Sequence, residues 1–202
     1  MLLSVCNSIN LSDALLYYMK VVAVTGTPGT GKTTFSKKLA AAINAEVLSL
    51  RDLIEREMLF EKFDEVRDTR VVDVGLLKRR VDEIVSGVGG DLIIDGLMSE
   101  GMSVSHIVVL RANPLLLGKR LFGRGYSKAK VMENVEAEVM GVCLYDSLWC
   151  DNVLEVDATQ EVDLNAVLAW LSEGGRKIIE VDWMRDFRAF LSESSSQVQD
   201  EA

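Results

Sequence analysis

The sequence predicts an α/β protein with a five-stranded, doubly wound parallel sheet, and three observations carry that expectation. Val21–Val24, Leu92–Ile94 and Ile107–Leu110 are uniformly apolar runs, as strands buried on both faces of a parallel sheet should be. Shorter runs at Glu46–Leu48 and Val153–Val156 complete the set, and segments with apolar residues every three or four positions separate them. A glycine-rich loop, Gly26 to Thr34, joins the first strand to the first such segment. In sheets of this class ligands sit at the C-terminal ends of the strands, where that loop falls.

Taken in order, Phe35, Leu39 and Ile43 mark the buried stripe of a first helix that Asn44 closes. Ser49 can cap a helix from Leu50 to Leu59. Glu61 to Asp73 is charged and without period, and reads as a mobile flap. Leu77, Val81 and Ile84 predict a helix over 74–85, ended by Gly87, Gly89 and Gly90. Asn113 as cap and Pro114 at the first helical position start a helix to about Phe122, which Gly123-Arg124-Gly125-Tyr126 breaks. Ser127 can cap a single long helix past Val131, Val135, Val139 and Val142 towards Leu148. Leu164 to Leu171 is the last clear helix; Ile178 to Leu191 carries mixed signals, and Ser192 to Ala202 reads as a disordered polar tail.

The 202 residues suit one domain, and no apolar run is long enough to span a membrane as a helix. The formal charge of −9 makes strong nucleic-acid binding unfavourable and favours a basic protein partner. Cys6, Cys143 and Cys150 show neither a disulfide framework nor zinc spacing, which suggests a reducing, cytoplasmic setting. Met1 to Tyr18 lacks the basic start and unbroken apolar stretch of a secretory signal. Because Met19 directly precedes Lys20 and the first strand, these residues read as a dispensable leader, with translation starting at Met19.

The loop Gly26-Thr27-Pro28-Gly29-Thr30-Gly31-Lys32-Thr33-Thr34 fits G-x-x-x-x-G-K-[ST]. Gly26, Gly29 and Gly31 let backbone N–H groups converge on phosphate oxygens, Lys32 supplies a point charge, Thr33 can ligate Mg²⁺, and Thr34 lies beside it at the helix N-terminus. ATP with Mg²⁺ is the implied ligand. Asp95, at the end of a predicted strand, is the natural second metal ligand, or else a turn residue. Arg120 and Arg124, four apart, can reach two parts of one nucleotide, or else form a solvated face. Leu110-Arg111-Ala112-Asn113 stands where a GTPase carries its guanine-reading motif, so guanine specificity is not supported.

These residues, with Phe63-Asp64-Glu65, Val109-Leu110-Arg111, Arg120-Leu121, Arg124-Gly125-Tyr126 and Glu133-Asn134, resemble the nucleoside monophosphate kinases of the P-loop NTPase fold. Within them the chain is most similar to the adenylate kinase isoenzyme six family, the coilin-interacting nuclear ATPases with archaeal relatives, over roughly Lys20 to Leu171. The resemblance implies a kinase domain over 19–175, an AMP-binding insert at about 49–72, a short lid at about 123–133 and a tail over 176–202. It implies conversion of ATP and AMP to two ADP, ATP hydrolysis, and a part in ribosome biogenesis and rRNA processing alongside a basic small-subunit ribosomal protein. Lys32, Arg120 and Arg124 would be catalytic, Arg124 also contacting ATP, and Arg51, Asp52 and Arg56 would hold AMP or another small nucleotide acceptor.

Two departures stand out. Family members carry a histidine two residues after the aspartate, where this chain has Leu97, and their AMP-helix arginine aligns with Glu55. His106 lies too far along to substitute and is expected at a strand edge. The acidic group Glu55, Glu57, Glu61, Asp64, Glu65 and Asp68 reads as a solvated face or as the contact for a basic ribosomal protein, and Trp183 as a packing anchor or a tail element.

Overall fold

The computed structural model describes residues 19–64, 69–179 and 181–196. The expected leader, Glu65 and Asp68 of the acidic group, and tail residues 197–202 lie outside the described residues. The strands are β1 (Val21–Thr25), β2 (Glu46–Ser49), β3 (Phe60–Asp64), β4 (Thr69–Val72), β5 (Leu92–Asp95), β6 (His106–Arg111) and β7 (Val153–Asp157). The helices are α1 (Lys32–Ile43), α2 (Leu50–Glu57), α3 (Val74–Gly87), α4 (Pro114–Phe122), α5 (Lys128–Met140), α6 (Val142–Ser147), α7 (Leu164–Glu173) and α8 (Met184–Ser196). Among them, none is long and apolar enough to cross a membrane.

The five expected strands form one parallel sheet in the order β2-β5-β1-β6-β7. In the central strands β1, β5 and β6 the side chains alternate between two buried faces, which is why their runs are apolar. Val22 and Val24 pack against Phe35 and Leu39 of α1 and Val167 and Trp170 of α7. Val21, Leu92 and Ile94 pack against Leu53 of α2 and Leu77 and Val81 of α3. In register, Val24 and Ser49 both lie beside Asp95, so the ends of β1, β2 and β5 share one sheet edge. His106 opens β6, its Nδ1 2.9 Å from Ser105 Oγ and its ring edge-on to Trp170, as expected of a strand-edge residue.

The helix starts follow the predicted chemistry. Ser49 Oγ accepts from Asp52 N, Asn113 Oδ1 from Leu115 N, and Ser127 Oγ from Lys130 N. Asn44 closes α1 in the left-handed region, φ 54°.

Three elements differ from the sequence reading. The charged stretch expected as a flap forms the antiparallel hairpin β3–β4, anchored by Phe60 and Val72 against the α2–α3 core. The long helix after Ser127 is broken at Gly141, φ 68°, into α5 and α6. The polar tail is helical as far as Ser196, because Phe190 drives α8 into a core formed by Leu117, Leu121, Val131 and Val135 of α4 and α5. Gly118 of α4 makes the room: a Cβ there would lie 2.4 Å from the Phe190 ring.

Phe190→Ala should therefore lower unfolding stability by about 3 kcal/mol, measured by urea denaturation. An unchanged midpoint would show that α8 is not part of the fold's core.

Candidate nucleotide site

The loop between β1 and α1 is built for close backbone approach. Gly26 has φ +140°, and a Cβ on it would lie 2.3 Å from Leu110 O, so no other residue fits. Thr30 N and Oγ1 both donate to Thr27 O, at 3.2 and 2.9 Å, and close the turn. Gly29 and Gly31 also have positive φ. Gly31 is the N-cap of α1 and supplies no side-chain acceptor, and the first helical turn holds no acidic residue. The N–H groups at this helix end are left for an anion, with the macrodipole in its favour.

Lys32 Nζ folds back over the loop to Gly26 O at 2.6 Å and Thr27 O at 3.1 Å. Burial pushes its ammonium below the usual lysine range, partly opposed by neighbouring Cys143, Asp95 and Glu100, while Arg124 depresses it further. Thr33 Oγ1 donates to Asp95 Oδ2 at 2.8 Å, so the two expected metal ligands do meet. Ser36, one turn on and not singled out from sequence, donates to Asp95 Oδ1 at 3.3 Å.

Arg120 and Arg124 line one cleft of about 710 Å³ with Gly29, Gly31 and Thr34. Arg120 Nη1 donates to Gly29 O at 3.1 Å. Arg124 lies beyond the end of α4 rather than on its face, its N bonded to Leu121 O. The cleft's far wall, Ala158 to Val162 after β7, was not found from sequence. Its position past a parallel strand's C-terminal end was the available signal. Lys38 and Glu161, 2.7 Å apart, lie among its lining residues.

Arg51, Asp52 and Arg56 sit on α2, whose N-terminus lies on the same sheet edge. All three are exposed. Arg51 pairs with Glu55 at 3.5 Å and Arg56 with Glu57 at 3.4 Å, and Arg80 takes Glu57 at 2.7 Å. Glu55 and Glu57 of the acidic group are thus already ion-paired, as on an ordinary solvated face. Leu97 is exposed and lines a second cavity of about 400 Å³ on the other side of the loop, with Thr27, Tyr126, Lys130, Glu133 and Asn134.

Two buried features escaped the sequence reading. Arg111 is shared by Glu138, at 2.8 Å from Nε, and by Glu155, while Glu138 Oε2 accepts from Thr27 Oγ1 at 2.6 Å. Glu100 is buried, its Oε2 finds no hydrogen-bond partner among the described residues, and burial holds its carboxyl above the usual range. Burial likewise pushes the Cys143 thiol beside it up to about 11.

Residues 22–141 match the AAA domain family. A protein of Thermococcus gammatolerans named "Putative adenylate kinase" is 41% identical over 174 residues, covering 81% of this chain and 92% of the relative. The chain belongs to this family. Relatives of the same name from Saccharolobus solfataricus and Methanocaldococcus jannaschii are 36% and 34% identical, each matched over more than nine-tenths of its length. The fold is that of a shikimate kinase from Bacteroides thetaiotaomicron (TM-score 0.51, 19% identity, 77% of this chain and 97% of that one) and of TT1252 from Thermus thermophilus (0.52, 18%, 77% and 98%).

The raised Glu100 carboxyl carries a sign. Between the ordinary carboxyl pKa and its own, the folded chain binds the proton more tightly than the unfolded chain, so stability falls as pH rises through that window. Glu100→Gln should flatten the decline, read as urea midpoints over a pH series that starts at the ordinary carboxyl range and rises from it. A variant curve as steep as the wild-type curve would remove Glu100 as its cause.

Proposed function

We propose that this chain is an adenylate kinase, moving the terminal phosphoryl group of ATP to AMP to give two ADP. The observation that carries the reading is the Thr33–Asp95 contact next to Lys32, on a phosphate loop whose Gly29 to Gly31 line one cavity and whose Thr27 and Pro28 line another. The family membership and the names of the archaeal relatives support it.

Thr33 and Asp95 offer a hydroxyl and a carboxylate oxygen, a donor set that suits Mg²⁺, which keeps most of its waters and takes one or two protein oxygens. The ion, when bound with ATP, neutralises charge on the terminal phosphates. The chain's own part is positioning and screening. Gly26, Gly29, Gly31 and Thr34 frame the triphosphate, and Lys32 leaves the carbonyls of Gly26 and Thr27 for phosphate oxygens. Arg120 and Arg124 approach the donor from the lid side. An AMP phosphate oxygen then bonds to the terminal phosphorus as the bond from that phosphorus to the bridging oxygen breaks, leaving ADP on each side. AMP is already an anionic nucleophile and needs no general base. Arg51, Asp52 and Arg56 are the acceptor's candidate contacts from α2.

A second reading, an ATPase switch in small ribosomal subunit assembly as in the isoenzyme six family, draws on one observation. Arg51 and Arg56 are engaged by Glu55 and Glu57, and so are not held ready for an AMP phosphate.

A coupled assay of purified protein separates the two. Adenylate kinase activity appears as ADP formation that rises steeply with AMP, and slow turnover indifferent to AMP supports the switch. Lys32→Ala should lower kcat/KM roughly 100-fold or more. An unchanged value would remove the site assignment under both readings.

A further inference from the structure

The phosphate loop is held from two sides, by Arg120 and by Glu138, and only the second has no part in the phosphate chemistry proposed above. The break Gly123 to Ser127, where the expected lid at about 123–133 begins, lies between α4 and α5. Arg120 of α4 holds Gly29 O at 3.1 Å, and Glu138 of α5 accepts from Thr27 Oγ1 at 2.6 Å. Both helices flanking the break therefore end on the same short crest, two residues apart.

Glu138 is the unexpected partner. It is 1% exposed and puts a carboxylate against a loop shaped for anions, which electrostatics alone would disfavour. Its charge is held by Arg111 Nε and by Ala112 N, at 2.8 and 3.0 Å. Arg111 is also committed to Glu155, so one guanidinium serves two carboxylates and does not cancel both. A neutral acceptor could have met the Thr27 hydroxyl without that cost. What the carboxylate adds is a short, charge-assisted bond anchored to the end of β6 through Arg111 and Ala112.

We propose that Glu138 is a positioning residue for the phosphate loop, fixing the Thr27–Gly29 crest in its phosphate-binding shape and tying that shape to α5. The inference rests on the reading that this loop holds the phosphates of ATP.

The test is the dissociation constant of ATP measured by titration calorimetry on the full chain, together with KM, kcat and Tm. Thr27→Val keeps the volume and removes the hydroxyl, and should weaken ATP about tenfold, in Kd and KM alike, with kcat within about twofold. Thr27→Ser should regain most of that loss. Glu138→Gln combined with Thr27→Val should bind no more weakly than the worse single variant. Wild-type affinity in Thr27→Val, a Ser variant as weak as the Val variant, or additive losses overturns the proposal. Should Glu138→Gln fail to fold, the two Thr27 variants decide alone. Lys32→Ala in the same titration separates the outcomes. If it weakens ATP and Thr27→Val does not, the positioning role falls; if it too binds as wild type, the phosphate-loop reading falls first.

Discussion

Arg111, the last residue of β6, is the constraint around which the site is assembled. Its Nε and Nη2 donate to the carboxylate and the carbonyl of Glu138, and its Nη1 to Glu155. Glu155 also accepts from Ile179 N at 3.0 Å, bringing in the segment that runs alongside β7. Gly141 ends α5 against the guanidinium, where a Cβ would lie 3.5 Å from Nη1, so the break between α5 and α6 belongs to the same arrangement. β6, β7, α5, the C-terminal segment and the phosphate loop thus meet at one buried cation. Removing one member of such a group leaves a charge without its partner in the interior, typically a loss of about 3–5 kcal/mol. The group is better understood as fixing geometry than as adding net stability, since its desolvation cost offsets much of its attraction.

A protein of net charge −9 must still present a positive edge to a polyanion. It does so by concentrating cations and by neutralising acids. Lys32, Arg120, Arg124 and the N-terminus of α1 face the loop or its cleft. Behind it, burial holds Cys143 as a thiol and favours the protonated form of Glu100. Asp95 is engaged by two hydroxyls at the point where a cation would bind. The same burial works against the charge on Lys32, whose bonds to two loop carbonyls keep the ammonium solvated by the backbone.

What could be read from the sequence was local. The phosphate loop, the strand before Asp95 and the caps at Ser49, Asn113 and Ser127 are each specified within a few residues, and all appear as expected. The Thr33–Asp95 meeting spans 62 positions, yet it followed from one rule about strand ends in parallel sheets. No such rule joins Arg111 to Glu138 and Glu155, 27 and 44 positions away, because a charged residue in an amphipathic helix, as Glu138 is, or at a strand position, as Arg111 and Glu155 are, looks exposed until its neighbours are known. Gly141 was masked by the valines on both sides of it, and α8 by serines that outnumber its one buried anchor, Phe190. The wall from Ala158 to Val162 has no motif, since its contribution to the cleft is mainly position.

The two sides of the loop differ in chemistry, and that difference bears on what can follow phosphate binding. One side presents Arg120 and Arg124 together with Thr159 and Gln160. The other side presents Leu97 at 44% exposure, along with Tyr126, Lys130, Glu133 and Asn134. A water molecule needs a nearby acceptor for its proton to become a competent nucleophile, and Leu97 supplies none at the position two residues past Asp95. A phosphate monoester needs no such acceptor, only cations that let it approach another anion. Under the proposed kinase function, the apolar residue at this point costs transfer to AMP little and costs hydrolysis more. The loop alone would serve either reaction, and Leu97 departs from the expected histidine beside a cavity that also holds the Glu133 carboxylate.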